Sequence, residues 1–337
     1  MTANLQRPDK TLLIPRENPA FRKALIVALI LVAAPLPSRA LIFYSTGDPS
    51  HNVTDPGDGS GWQWEIQYGS VLATAIAPEY MITARHVGGA PGAVVSFQGQ
   101  TYTTTAAWNS PNSDLTLMKV DHPFPTWAPL YQGSDEAGKT LTVFGRGTLR
   151  GDEVDVPGAS PTANRGWLWG STDFQTRWGQ NVVSAIEDAS AQGLGSLLGA
   201  DFDRVSTPGD TTTAGGLPDE VTLSNGDSGG GVFIQENGVW KLAGINYGVV
   251  TGWRFTPTDG SSFQAAVFDA GGLYLDGFGS IPDAVQDIPA EWVATRISSN
   301  VEWINSIVGV PETPVSLPGL MGLLGIAGLA AYQRRRR

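Results

Sequence analysis

Ser224-Asn-Gly-Asp-Ser-Gly-Gly-Gly-Val-Phe233 places one hydroxyl, that of Ser228, inside a run of glycines just ahead of an apolar segment. A serine that attacks a carbonyl needs a sharply bent, uncrowded backbone with amide N–H groups facing the oxyanion it creates, and glycine permits both. Ser228 is therefore the candidate nucleophile, and the amides of Gly226 and Ser228 are candidates for the oxyanion hole. A serine hydroxyl is a weak nucleophile until a base takes its proton, so the reading requires a histidine and an acid to orient it. The chain has three histidines, His51, His86 and His122, and all precede Ser228.

That order discriminates between folds. Gly226 to Gly230 also satisfies the Gly-x-Ser-x-Gly pattern of an α/β-hydrolase elbow, but there the histidine follows the serine, and here none does. A subtilisin order, acid before histidine, is available through Asp48, Asp55 or Asp58 ahead of His86, yet the alternating helix and strand pattern of that fold is missing. What remains is histidine, then aspartate, then serine.

His86 ends Met81-Ile-Thr-Ala-Arg-His, an apolar strand running into a turn at Gly88-Gly89, a position from which a side chain faces a cleft. His122, in Asp121-His-Pro-Phe, reads as a surface turn residue, and His51, in Pro-Ser-His-Asn, as a loop residue. Asp114 opens Asp114-Leu-Thr-Leu-Met-Lys-Val120 after the turn-forming Asn109-Ser-Pro-Asn-Ser113. A carboxylate there can hold an imidazole in the tautomer that accepts the serine proton, although alone it would read as a turn cap.

Around these motifs the chain is a series of short apolar or alternating segments. Trp64 to Tyr68, Val71 to Ile76, Tyr80 to Thr83, Ala93 to Phe97, Thr101 to Ala107 and Leu115 to Val120 form a first set. Leu141 to Gly145, Asn181 to Ile186, Val221 to Leu223, Gly231 to Ile234, Trp240 to Tyr247 and Gln264 to Phe268 form a second. Their lengths and spacing are those of strands in a barrel or sandwich. The stretch from Arg150 to Pro218, heavy in Gly, Asp, Thr and Pro, reads as a surface elaboration, and Glu291 to Val308 has apolar residues close to helical period.

Both ends read as address labels. Arg22 and Lys23 precede the apolar run Ala24 to Ala34, and Pro35-Leu-Pro-Ser-Arg-Ala40 ends in small residues, so a signal peptide cleaved after Ala40 is expected. Leu317 to Tyr332 is apolar and glycine-rich and stops at Arg334-Arg-Arg-Arg337, a membrane segment with a basic end. With Val310-Pro-Glu-Thr-Pro ahead of it, this tail resembles the PEP-CTERM sorting signal, with Thr313 where that signal usually has a second proline. The resemblance implies processing by an exosortase, and the plain alternative is a C-terminal anchor.

Residues 41 to 309 hold 11 basic and 29 acidic residues, a formal net charge of −18. Such a body repels phosphate backbones and anionic lipid, which argues against nucleic acid as a partner. No cysteine occurs, which excludes disulfide support, thiol chemistry and cysteine metal sites. Three scattered histidines without a His-Glu-x-x-His pattern make zinc hard to build. Asp152, Glu153 and Asp155, and the pair Asp201 and Asp203, do not follow calcium-loop spacing and read as solvated acids. No metal or cofactor is expected.

Taken together the motifs resemble the chymotrypsin and trypsin family of serine peptidases. Gly69-Ser-Val-Leu to Ala77-Pro-Glu-Tyr-Met-Ile-Thr-Ala resembles the strand pair leading to the family's histidine, Asp114-Leu-x-Leu its aspartate motif, and Gly226-Asp-Ser-Gly-Gly its serine motif. Gly244-Ile-Asn-Tyr-Gly248 resembles the strand that binds substrate backbone, and Asn300-Val-Glu-Trp-Ile-Asn the closing helix, so that the likeness spans about 62 to 309 without 150 to 218.

The resemblance implies that His86 is the base, Asp114 its orienting acid and Ser228 the nucleophile, with an oxyanion hole at Gly226 and Ser228. It implies substrate binding at Asn246, Tyr247 and Gly248, with Thr222 at the floor of the specificity pocket. An uncharged floor argues against a strong preference for Arg or Lys. Val87 stands where many relatives have a disulfide cysteine, and no activation sequence is recognisable near the mature start.

The expected fold is all-β, with two antiparallel six-stranded β-barrels of chymotrypsin type and a C-terminal α-helix. The expected organisation is a signal peptide with extended basic region at 1–40, a leader at 41–61, a first barrel at 62–135 and a second at 136–290 with its insertion at 150–218. A C-terminal helix at 291–309 and a sorting tail at 310–337, with a membrane segment at 317–332, complete it. The expected function is that of an exported serine endopeptidase acting on polypeptide. Signal peptidase and an exosortase are its processing partners, and the tail is its membrane contact before processing. The alternatives are a noncatalytic surface or matrix protein using the fold for binding, and an ester hydrolase on the same fold.

Overall fold

A computed structural model describes residues 41–57, 59–156, 158, 164–205 and 215–309. The expected signal peptide and sorting tail lie outside the described residues. A short β1 (Ile42–Phe43) comes first and pairs with a much later strand. Then β2 (Glu65–Tyr68), β3 (Val71–Ala77), β4 (Tyr80–Ala84), β5 (Val94–Phe97), β6 (Gln100–Asn109) and β7 (Leu115–Val120) close into a barrel in the order β2-β3-β4-β7-β6-β5. Inside it pack Ile66, Ala73, Met81, Val95, Phe97, Tyr102 and Met118. β3 and β4 are apolar but for one threonine each because their second face is buried as well: Leu72, Ile76 and Ile82 turn away from the barrel into a core shared with the other half of the molecule.

The second half contains β8 (Thr140–Gly145), β9 (Arg150–Asp155), β10 (Asn164–Trp169), β11 (Arg177–Val182), β12 (Ala185–Ala189), β13 (Gly195–Asp201) and β14 (Val221–Thr222). It continues with β15 (Gly231–Glu236), β16 (Val239–Val249), β17 (Trp253–Arg254), β18 (Ala265–Val267), β19 (Tyr274–Leu275), β20 (Gly279–Ser280) and β21 (Glu291–Arg296), and ends in helix α1 (Val301–Val308). The all-β class with a C-terminal helix holds.

The second half is not the expected closed six-stranded barrel. It is an open seven-stranded sheet, β11-β8-β15-β16-β21-β13-β12, flanked by the three-stranded sheets β18-β10-β9 and β17-β19-β20 and the β1-β14 pair. Where a ladder would join β11 to β13, one side chain bridges instead. Asn181 Nδ2 on β11 donates to Asp201 O at the end of β13 and to Val221 O of β14, both at 2.9 Å. A single side-chain amide thus spans the gap between the strand ends, and the sheet is open there.

Two sequence readings change. The stretch from 150 to 218 is not only a surface elaboration, because β11, β12 and β13 are members of the main sheet. Residues 291–309 are not one helix either. Glu291–Arg296 is a strand between β16 and β13, buried over five of its six residues, and only Val301–Val308 is helical. Apolar residues at Trp292, Val293 and Ile297 suit a helix face and a fully buried strand alike, and the vacancy between two strands decides the matter.

The core between the halves joins Leu72, Ile82, Leu115 and Leu117 of the barrel to Phe144, Phe233, Leu242 and Ile245 of the sheet, with Ile297 and Ile304 sealing it. Thus α1, which follows a strand of the sheet, lies against residues of the first barrel. No helix among the described residues is long and apolar enough to cross a membrane.

Candidate active site

The site begins with the end of β4. Ala84 pairs with Leu115, the first residue of β7, and the chain then leaves the sheet in a 3-10 turn, Arg85–Val87, that stops at Gly88 with φ of 84°. Only glycine takes that conformation without strain. The turn swings His86 outward while Asp114, one residue ahead of β7, stays beside it. Arg85 N–H donates to Asp114 O at 3.1 Å and His86 N–H to Asp114 Oδ1 at 3.1 Å. His86 Nδ1 lies 2.6 Å from Asp114 Oδ2, and Nε2 lies 2.7 Å from Ser228 Oγ.

A carboxylate only accepts, so Nδ1 carries the proton and Nε2 is left to accept from the serine hydroxyl. The Asp114 side chain is 3% exposed and that of His86 24%, so the acid is walled off while the base meets solvent on one side. Behind Asp114, Ser113 Oγ donates to Asn300 Oδ1 at 2.8 Å and pairs with Ser110 Oγ at 2.8 Å, fixing the loop that presents the carboxylate. The Tyr247 ring meets the imidazole edge-on, with centroids 5.5 Å apart. Burial, with a smaller contribution from the Asp114 charge, raises the Tyr247 phenol above its ordinary range and keeps it neutral.

Ser228 sits in a loop of two consecutive turns, Asp227 N–H to Ser224 O at 3.2 Å and Gly230 N–H to Asp227 O at 3.2 Å. Gly226 and Gly229 have φ of 96° and 84°. At Gly229 a methyl group would come within 2.5 Å of Leu72 O, so the first barrel and the loop meet with no room for a side chain. Gly229 N–H donates to Asn246 O at 3.0 Å and Asn246 N–H to Gly230 O at 2.9 Å, which fastens the loop to β16.

Asp227 points inward, accepting from Ser224 N and Oγ at 2.7 and 2.9 Å and from Gly147 N at 2.6 Å. Burial pushes its carboxyl up to about 7 against the pull of those donors. Neither the Gly226 nor the Ser228 main-chain N–H, on either side of Asp227, has an acceptor among the described residues. Two unpaired amides beside a serine hydroxyl are donors that a developing oxyanion would need.

No family model matches this chain, and no curated protein matches it. The reading of the site therefore rests on geometry.

His86, Asp114, Ser228 and Gly226 come together as the sequence motifs anticipate. Tyr247 and Gly248 lie at the site's edge, where a register shift in the β16–β21 ladder, between Asn246↔Ala294 and Gly248↔Val293, leaves Tyr247 without an opposite residue. Asn246, expected to bind substrate, is fully buried. Its main chain holds the serine loop, and its Nδ2 donates to Phe144 O at 2.7 Å and Asp227 O at 3.0 Å, so it acts from beneath. Thr222, expected at a pocket floor, is buried in β14 opposite Ile42, with no hydrogen-bond partner on Oγ1.

His122 stacks on Tyr102 at 4.2 Å and pairs with Asp121, a surface arrangement. His51 bonds Asp219 at 2.8 Å. Among the described residues no cluster of three or more His, Cys, Asp or Glu side chains is arranged to hold a metal. Sequence reasoning missed Ser224, Ser113 and Asn300 as supports. Ser224 opens the quoted motif, whereas Ser113 and Asn300 are 187 residues apart and carry no local signal of their contact.

Proposed function

We propose that this chain is a serine endopeptidase, hydrolysing peptide bonds through an acyl-enzyme on Ser228. One observation carries the reading: a single imidazole bonded at 2.6 Å to a buried carboxylate and at 2.7 Å to a serine hydroxyl, beside two unpaired main-chain amides. In the first half-reaction Ser228 Oγ attacks the substrate carbonyl carbon and its proton passes to His86 Nε2. The carbonyl oxygen, now an alkoxide, takes the Gly226 and Ser228 N–H groups.

His86 returns the proton to the departing amine as the C–N bond breaks, and Asp114 stabilises the imidazolium between the two transfers. Water, deprotonated by His86, then cleaves the ester. Nothing in these steps requires a cofactor. The sequence features of the two ends favour export, with signal peptidase acting first and an exosortase on the tail.

Reaction with a serine-directed fluorophosphonate, run with a casein assay and a Ser228→Ala control, tests the reading. Labelling and proteolysis that both vanish in the control support it. Labelling without proteolysis assigns ester hydrolysis instead, and no labelling of the folded protein assigns a binding module.

A further inference from the structure

Phe174 is an anomaly close to this site. It is a large apolar side chain, 43% exposed, on a backbone with φ of 58°, a region that non-glycine residues occupy only under constraint. The constraint is Arg146, itself 5% exposed. Its Nε donates to Phe174 O at 2.9 Å, its Nη2 reaches the same oxygen, and its Nη1 donates to Gly69 O at 3.1 Å. A guanidinium fork spent on two main-chain carbonyls is a rigid brace, and burial lowers the pKa of this one. The Phe174 ring has no aromatic or cationic partner among the described residues, and the brace leaves much of it open to solvent.

Its place follows from the chain. Gly147, next to Arg146, donates to Asp227, the residue before Ser228. Gly69 opens the turn into β3, whose Leu72 O lies against Gly229, the residue after Ser228. The Arg146 fork thus draws Phe174 to the rim on the first-barrel side of the serine loop. Tyr247, which meets His86 edge-on, belongs to the irregular stretch of β16, where the acyl part of a substrate would lie.

We propose that Phe174 is a specificity-determining residue on the leaving-group side of the scissile bond, receiving an aromatic or large aliphatic side chain of the departing peptide. Chain that has passed β16 and the nucleophile runs toward the rim formed by Gly69 and Phe174. There the exposed ring offers apolar area, and its fixed backbone costs little ordering on binding. The inference rests on the peptidase reading, and its test separates the two.

The full chain is assayed on one acyl sequence carrying three leaving groups: p-nitroaniline, a glycine peptide and a phenylalanine peptide. Expected for the unaltered protein is a kcat/KM about tenfold higher for phenylalanine than glycine. Phe174→Ala should bring that ratio near one while p-nitroanilide turnover stays within about twofold, and Phe174→Trp should keep the preference. A ratio near one in the unaltered protein, a ratio untouched by Phe174→Ala, or equal losses on all three substrates overturns the inference while leaving the peptidase reading in place. No turnover of any of them removes the peptidase reading and the inference with it.

Discussion

Two histidine–aspartate pairs in this molecule join residues far apart in the chain, and their bonds are nearly alike: His86 Nδ1 to Asp114 at 2.6 Å, His51 Nε2 to Asp219 at 2.8 Å. Their surroundings differ. Asp114 is 3% exposed and gives one oxygen to the imidazole and the other to the His86 main chain, whereas Asp219 is 24% exposed and shares the His51 oxygen with Asn52 Nδ2 at 3.1 Å. The second nitrogen of His86 meets a serine hydroxyl, while the His51 ring abuts the edge of Phe43, with centroids 4.8 Å apart. One pair presents an imidazole nitrogen to a serine hydroxyl, and the other ties the leader to the segment before β14. A histidine–carboxylate bond is thus no mark of catalysis. Burial of the acid and the group on the other nitrogen make the difference.

The two pairs should differ most at their acids. Asp114→Asn should lower kcat on a peptide substrate by about 10⁴-fold, because the amide favours the wrong tautomer, while Asp219→Asn should leave kcat within about twofold. Comparable losses from both would erase the distinction.

A smaller effect is expected behind Asp114. Ser113→Ala removes its link to Asn300 and should cost about tenfold in kcat with KM unchanged, as the carboxylate loses its fixed place. A shifted pH–rate profile that Ser113→Thr restores would distinguish positioning from simple destabilisation.

Beside the second pair, Glu220 is buried with main-chain donors only, and burial pushes its carboxyl from 4.5 up to about 9. The folded state therefore keeps a proton that the unfolded chain releases. This contribution to stability is complete below about pH 4.5 and is lost as pH rises toward 9. Its share of the slope is about 1.4 kcal/mol per pH unit, or roughly 3–5 °C in Tm, and Glu220→Gln should flatten the melting profile by that amount. An unchanged slope would mean that Glu220 is ionised in the fold. The smallest effect belongs to His51→Gln, with activity unchanged and Tm lower by about 2–4 °C from one lost hydrogen bond.

Much of this was legible in the sequence, for identifiable reasons. The six strands of the first barrel alternate or run apolar between strong turn residues, so their bounds could be read to within a residue or two. Ser228, His86 and Asp114 stand at strand ends, where a polar residue beside an apolar run is conspicuous.

The second half resisted because its buried positions are often charged. Arg177 on β11 is fully buried and held by Asp173, and Arg165 on β10 by Asp269 and Asp283. Arg165 in particular reads as surface loop until partners more than 100 positions away are known. β13 was hidden for another reason, since glycine at 199 is needed where Glu291 packs against the strand. Asn246 was placed correctly on its strand but read as a substrate contact, because nothing local tells that its amide turns under the serine loop.

The Ser113–Asn300 bond also sets when the site can form. A chain emerging from the ribosome delivers His86 and Asp114 first, Ser228 much later, and the helix bearing Ile304 later still. Full alignment of the acid thus waits for the final docking event. The last support of the His86–Asp114 pair is therefore added by sequence nearly two hundred residues downstream of the loop that it steadies.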